Sequence, residues 1–157
     1  MGENIIGFWQ EREKYGCFSN FYPCRFNWQE IEFNCSEQAF MYAKAIYFND
    51  IEIANQILLE TDPKKIKKLG RKVKNFDDTK WAEVRYNFML TINRVKYTQN
   101  EDLRDILLST GRATIVEDSP FDYIWGIGKD GSGQNLLGKV LMELRDYFIS
   151  LEIVTGD

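Results

Sequence analysis

Apolar positions along this chain change their period several times, and each change marks an element. Asn4 to Trp9 reads as a first strand, and Glu11 to Gly16 as a charged turn. Phe18-Ser-Asn-Phe-Tyr-Pro is a loop dense in aromatics. Cys24-Arg-Phe-Asn and Glu30-Ile-Glu-Phe alternate apolar with polar, and the polar link between them predicts a hairpin. The period then becomes helical. Asn34-Cys-Ser-Glu37 has the form of a capping box, predicting a helix through Phe40, Ala43, Lys44 and Tyr47. Asn49 or Asp50 caps a second helix, with Ile53, Ala54, Ile57 and Leu58 on one face. Asp62-Pro63, a cap followed by proline in the first turn, opens a third that ends near Gly70. Asp77 and Asp78 open the longest, whose stripe is Trp81, Val84, Phe88, Ile92 and Val95. Another runs from Asn100 through Leu103, Ile106 and Leu107 to about Gly111, before a short strand from Ala113 to Glu117. A last helix carries Leu136, Leu137, Val140, Leu141, Leu144 and Phe148 and ends near Ser150. The pattern predicts an α+β fold, a single helix-rich domain around a small β-sheet.

One stretch does not fit a packing pattern. Phe121 to Gly138 holds five of the eleven glycines, together with Trp125, Asp122, Asp130 and Asn135. Glycine is chosen where backbone needs φ > 0 or a close approach. Glycines between polar residues can turn consecutive N–H groups inward as an anion-binding nest, and the helix that follows would add its N-terminal dipole. The stretch therefore predicts a pocket for a phosphorylated or sugar-bearing ligand, with Trp125 as one wall. Gly126-Ile-Gly128-Lys-Asp-Gly131 also matches the dinucleotide fingerprint G-x-G-x-x-G in form. That fingerprint needs a buried strand before it and an acidic residue about 20 positions on. Here Pro120 and alternating charges precede it, and Glu143 and Asp146 fall inside the next helix. A Rossmann site is set aside.

Composition narrows the chemistry. The 157 residues suffice for one domain, long enough to bury about 68–70% of the unfolded surface. Aromatics, at 15%, exceed core needs and suit a pocket for a flat ligand. Net charge is −4, so no global basic field exists for wrapping duplex nucleic acid. The run Lys64 to Lys72 is locally basic, either a solvated helix face or an approach path for an anionic substrate. Histidine is absent, which removes Ser-His-Asp and Cys-His catalysis and imidazole general bases. It also leaves no clear transition-metal ligand cluster, so neither metal nor cofactor is expected. Cys17, Cys24 and Cys35 lack C-x-x-C spacing and read as free thiols. No signal peptide and no apolar run near 18 residues is present, so a cytoplasmic protein without membrane association is expected.

Acid–base work must then fall to carboxylates, lysine, tyrosine or cysteine. Glu37 is the best carboxylate, in the first turn of a helix just after a strand, although a capping-box glutamate needs no catalytic role. Lys44, seven residues on, shares its face about 10 Å along the axis. A snorkelling lysine is the plain reading there.

Gly16-Cys-Phe-Ser-Asn-Phe-Tyr-Pro23, Ser36-Glu37 with Phe40 and Lys44, Leu69-Gly70-Arg71, Trp81, Thr110-Gly111, and Trp125-Gly-Ile-Gly128 through Asn135-Leu-Leu-Gly138 occur in that order. Together these blocks resemble the NADAR, or YbiA-like, family over about residues 7 to 148. The resemblance implies the YbiA-like fold and an N-glycoside hydrolase that cuts the bond between ribose and a nitrogen. Substrates it implies are phosphoribosylated pyrimidine intermediates of riboflavin synthesis and ADP-ribose on guanine, with ADP-ribosylated nucleic acid as a further partner. It makes Glu37 the catalytic carboxylate and places Lys44, Trp81, Trp125 and Asp122 in the active site. Asn20, Phe21, Arg71, Gly126, Gly128 and Asn135 would line the substrate pocket. One departure stands out: the family has Ser-Glu-His, whereas this chain has Ser36-Glu37-Gln38. Glutamine hydrogen-bonds but does not titrate, so a proton-transfer role at that position is closed.

The implied chemistry is physically coherent. Breaking a ribosyl C–N bond passes through an oxocarbenium-like state, which a buried carboxylate stabilises while it orients water. Lys44 would bind phosphate, tune Glu37, or attack the anomeric carbon through its amine. Trp81, on an apolar stripe, reads equally as core. The other class of reading is a nucleotide-binding or ADP-ribose-binding module without turnover.

Overall fold

The computed structural model describes residues 4–155. In chain order the elements are β1 (Ile5–Phe8), β2 (Phe26–Trp28), β3 (Ile31–Phe33), α1 (Ser36–Tyr47), α2 (Ile51–Leu59), α3 (Pro63–Gly70), α4 (Asp78–Gln99), α5 (Glu101–Ser109), β4 (Thr114–Glu117) and α6 (Leu136–Thr155). A single 3₁₀ turn spans Gly16–Phe18. The fold is α+β, as the periodicity predicts. The strands form two separate two-stranded pairs rather than one small sheet. The chain divides into two units, residues 1–19 with 101–157, and residues 20–100.

In the first unit β1 and β4 run parallel, with Ile5 opposite Thr114 and Phe8 opposite Glu117. The ladder continues past both ends, since Thr114 N–H donates to Asn4 O (2.8 Å) and Asp118 N–H to Phe8 O (2.9 Å). Helix α6 packs on β4 and buries Leu137, Val140, Leu141, Leu144 and Phe148. Each such side chain contributes about 1.5–3 kcal/mol by leaving water. Arg145 on α6 is buried with them and donates to Thr110 Oγ1 at 2.8 Å.

In the second unit β2 and β3 form the expected hairpin, with Phe26 opposite Phe33. Its two-residue turn holds Gln29 at φ 55° and Glu30 at φ 64°, a primed turn made without the usual Asn-Gly. Helix α1 is the centre of this unit, and α2, α3 and α4 all pack on it. Asp50, Asp62 and Asp77 cap α2, α3 and α4 as predicted, accepting from Ile53, Lys64 and Lys80 N–H. The stripe predicted for α4 is only partly right. Trp81 and Ile92 are buried, but the rest of its buried face is Met89, Asn93, Lys96 and Tyr97 in place of Val84, Phe88 and Val95. Tertiary packing there covers polar side chains that a hydropathy pattern assigns to solvent. Lys96 is 0% exposed, with Nζ 5.1 Å from the centre of the Tyr97 ring.

Candidate active site

The entry to α1 differs from the capping box read from sequence. Cys35 occupies the N-cap, without a side-chain cap bond, so Glu37 sits one position earlier in the helix than a box requires. Gln38 makes the reach-back contact instead: its Oε1 accepts from Asn34 N–H at 2.8 Å. Its Nε2 donates to the carbonyls of Ile57 (3.1 Å) and Glu60 (3.2 Å), with Leu58 at 3.4 Å. Glu37 is 7% exposed, and its N–H donates to Asn20 O at 2.9 Å. Cys35 is no rival nucleophile, because burial pushes its thiol up to about 11 and keeps it protonated.

Lys44 is half-buried further along α1, with Nζ 4.5 Å from the centre of the Phe76 ring. Burial draws its ammonium below the ordinary lysine range. The Glu37 and Asp78 carboxylates oppose that fall, and the Arg71 guanidinium adds to it. Glu37, Lys44 and Arg71 therefore share one electrostatic neighbourhood. Arg71 is exposed at the C-cap of α3. The segment that follows is strapped to α2 by Asp50, whose carboxylate takes Ile53 N–H at 3.1 Å and Lys74 N–H at 2.8 Å. Those bonds hold Asp50 below the usual carboxylate range. Trp81 is 6% exposed and packs on Phe40 (5.3 Å), Phe88 (5.8 Å), Tyr47 and Phe48 (both 6.1 Å). Its place is the core reading. Phe76, edge-on to Phe48 with ring centres 5.3 Å apart, presents the ring that meets Lys44. Asn20 keeps Nδ2 3.5 Å from Met89 Sδ, while its Oδ1 is buried without a hydrogen-bond partner. Phe21 beside it is half-buried.

The glycine loop corrects the anion-nest expectation. Three of its later donors are turned onto its own carbonyls, Gly133 N–H to Ile127 O (2.7 Å), Gln134 to Tyr123 O (2.8 Å) and Asn135 to Gly126 O (3.0 Å), while Lys129 and Ser132 N–H go to Tyr123 Oη and Asp130 Oδ1. Leu136 and Leu137, the first residues of α6, donate to Ile124 O and Trp125 O, each at 3.1 Å. A helix N-terminus capped this way offers little to an anion. Asp122 Oδ1 takes the N–H groups of Ile124 (2.9 Å) and Trp125 (2.8 Å), so it shapes the turn carrying the half-buried Trp125. Asn135, at φ 54°, joins the loop to β4: Oδ1 accepts from Glu117 N–H and Nδ2 donates to Ile115 O, both at 3.0 Å. Gly126 and Gly128 are buried. Gly128 has φ +72°, and a Cβ there would overlap the Tyr123 ring. These glycines let the loop fold on itself. Gly128 and Asn135 thus have structural roles in the loop, beside the pocket positions the resemblance implies.

Of the residues expected at the site, Asn20, Phe21, Glu37, Lys44, Arg71 and Trp81 lie in the second unit; Asp122, Trp125, Gly126, Gly128 and Asn135 lie in the first. Sequence reasoning missed Phe76 and Asp78 beside Lys44. It also read Asp50 only as a cap, because its bond to Lys74 N–H spans 24 positions. Among the described residues no group of three His, Cys, Asp or Glu is placed to hold a metal ion, and no helix is long and apolar enough to cross a membrane.

The NADAR domain matches residues 7–149, nearly the whole chain. The chain belongs to the NADAR family. The chain is similar to the NMR structure of the Escherichia coli protein YbiA with a TM-score of 0.87 and 31% identity, covering 100% of this chain and 91% of that one. N-glycosidase R617 of Acanthamoeba polyphaga mimivirus is 41% identical over 145 residues, covering 82% of this chain and 85% of that protein. Riboflavin biosynthesis protein VVA0006 of Vibrio vulnificus is 33% identical over 92% of this chain, a match that takes up 38% of that longer protein. This NADAR protein is an enzyme of the N-glycoside hydrolase class, as its relatives named N-glycosidase are.

Proposed function

We propose that the enzyme cleaves the C–N bond between a phosphorylated ribosyl or ADP-ribosyl group and a nitrogenous base, with Glu37 as its catalytic carboxylate. The observation that carries this is the charge arrangement of α1 and the end of α3, a buried Glu37 in the same field as the Lys44 and Arg71 cations. Glu37 stabilises the positive charge that develops on the sugar as the base departs, and it orients the water that attacks C1′. Lys44 and Arg71 hold the phosphate, each charge-assisted bond being worth roughly 1.5–3 kcal/mol. Asn20 Oδ1, an acceptor without a partner, takes a ribose hydroxyl. The relative named for riboflavin biosynthesis supports a phosphoribosylated pyrimidine as one substrate. ADP-ribosyl-guanine, free or in nucleic acid, is the other form this chemistry accommodates.

The decisive experiment incubates the purified protein with both substrate types and measures released base. Glu37→Gln keeps the size of the side chain and loses its charge. It should abolish release while leaving folding within about 1 kcal/mol of wild type, since the amide keeps an oxygen acceptor of the same reach. A variant keeping more than about a tenth of wild-type turnover, under ~1.4 kcal/mol of barrier, removes Glu37 from the mechanism. Tight binding of both ligands without release would identify a binding module instead.

The burial of Lys44 favours a second reading of its role, because a lowered pKa provides more neutral amine. The amine attacks C1′, the C1′–N bond breaks, and the base leaves with a proton. The sugar ring opens to an imine, which water hydrolyses to restore the amine. Borohydride added during turnover would trap a covalent adduct at Lys44 in this reading, and would leave the enzyme unmodified if Lys44 only binds phosphate.

A further inference from the structure

We infer that Gln38 is the positioning residue for Glu37, fixing the first turn of α1 between the end of β3 and the end of α2. The inference rests on the assignment of Glu37 above. Gln38 is 1% exposed, and its amide is used at both ends. Its Oε1 takes Asn34 N–H at 2.8 Å, on the stretch leading from β3. Its Nε2 reaches Ile57 O at 3.1 Å, a carbonyl that also accepts from Glu60 N–H, and Glu60 O at 3.2 Å, at the C-terminal end of α2. The Cys35 N-cap supplies no side-chain bond, so this amide is the side-chain device that sets the helix start. Glu37 precedes it by one residue and has its own N–H tied to Asn20 O at 2.9 Å. These bonds hold the backbone from which the Glu37 side chain projects. Displacing a catalytic group by about 1 Å costs on the order of a hundredfold in rate.

A side chain that only packs would affect stability alone. A positioning residue affects kcat and spares KM, because Lys44 and Arg71, which hold the phosphate, stay in place. Gln38→Met, close in volume but without the amide, is expected to lower kcat at least tenfold with KM within threefold of wild type, in protein shown folded by circular dichroism. Gln38→His, measured at pH 8 where the imidazole is neutral and offers one acceptor and one donor, should recover at least a third of the wild-type kcat. A folded Gln38→Met with kcat within threefold of wild type, or a loss confined to KM, overturns the inference. Should Gln38→Met not fold, Gln38→Glu carries the test. It keeps the acceptor for Asn34 N–H and loses the donor, so kcat should fall at least fivefold with KM unchanged, and an unchanged kcat overturns the inference. Glu37→Gln runs in parallel. If it stays active, the assignment of Glu37 fails; if it is inactive while Gln38→Met runs at full rate, only the role of Gln38 fails.

Discussion

Asn135 separates a ligand-binding role from a structural one, and the structure gives the size of the effect. Its amide makes two bonds to the β4 backbone, each 3.0 Å long, and its own backbone is left-handed at φ 54°. Asn135→Ala deletes both bonds, at about 0.5–1.5 kcal/mol each net. It also puts an ordinary Cβ residue into the left-handed region, which costs about 1–2 kcal/mol. The sum is about 3 kcal/mol, or roughly a 6–12 °C fall in Tm for a chain of this length. Asn135→Gly loses the same bonds without the left-handed penalty, so it should be about 1 kcal/mol more stable than the alanine variant. Urea and thermal unfolding of the three proteins measure this, and ligand titration of the folded fraction gives affinity. The reasoning is refuted if alanine costs less than 1 kcal/mol, or if alanine and glycine are indistinguishable. A large loss of affinity at unchanged stability would return Asn135 to the substrate pocket.

Lys44→Met should weaken binding of the phosphorylated ligand at least tenfold yet leave the protein as stable as wild type or more so at neutral pH. Its ammonium is disfavoured by burial, so the folded state binds fewer protons than the unfolded one. Wild-type stability therefore rises with pH from the folded-state pKa of Lys44 up to the unfolded value near 10.4. Unfolding curves across that window check the slope, which Lys44→Met should flatten; equal slopes would contradict it. Gly128→Ala should destabilise the loop through its φ of +72° and the Tyr123 ring, whereas Lys129→Ala should do little. Thermal melts distinguish the two, and equal melting temperatures would count against the self-packed loop. Removing the ligand's phosphate should weaken binding about tenfold to a hundredfold in wild type and far less in an Arg71→Ala, Lys44→Met double variant; equal sensitivity in both would move phosphate recognition off α1 and α3. Turnover should survive EDTA, because no histidine is present; a loss restored by added zinc or magnesium would bring a metal into the mechanism.

Much of this protein is legible in its sequence because the signals are local. Helix starts at Asp50, Asp62-Pro63 and Asp77 depend on bonds spanning two to three residues, and all three form. The hairpin from Phe26 to Phe33 follows from alternation, and the apolar face of α6 from its period. The motif order from Gly16 to Gly138 carried the family, since it depends on the residues themselves.

What the tertiary structure decided involves partners far apart in the chain. Gln38 took the reach-back role assigned to Glu37 because the carbonyls of Ile57 and Glu60, some 20 positions on, were within reach of its amide. The glycine loop satisfied its own donors, Gly133 through Leu137, so a composition suited to an anion nest became a cap for α6. Lys96 and Asn93 disappeared into α4's buried face, which hydropathy alone assigns to water. Lys44 acquired Phe76, Arg71 and Asp78 as neighbours from segments 27 to 34 residues away. A sequence states which groups a residue can bond; only the packed chain determines which of those groups arrive, and desolvation then decides which of them keep their charge.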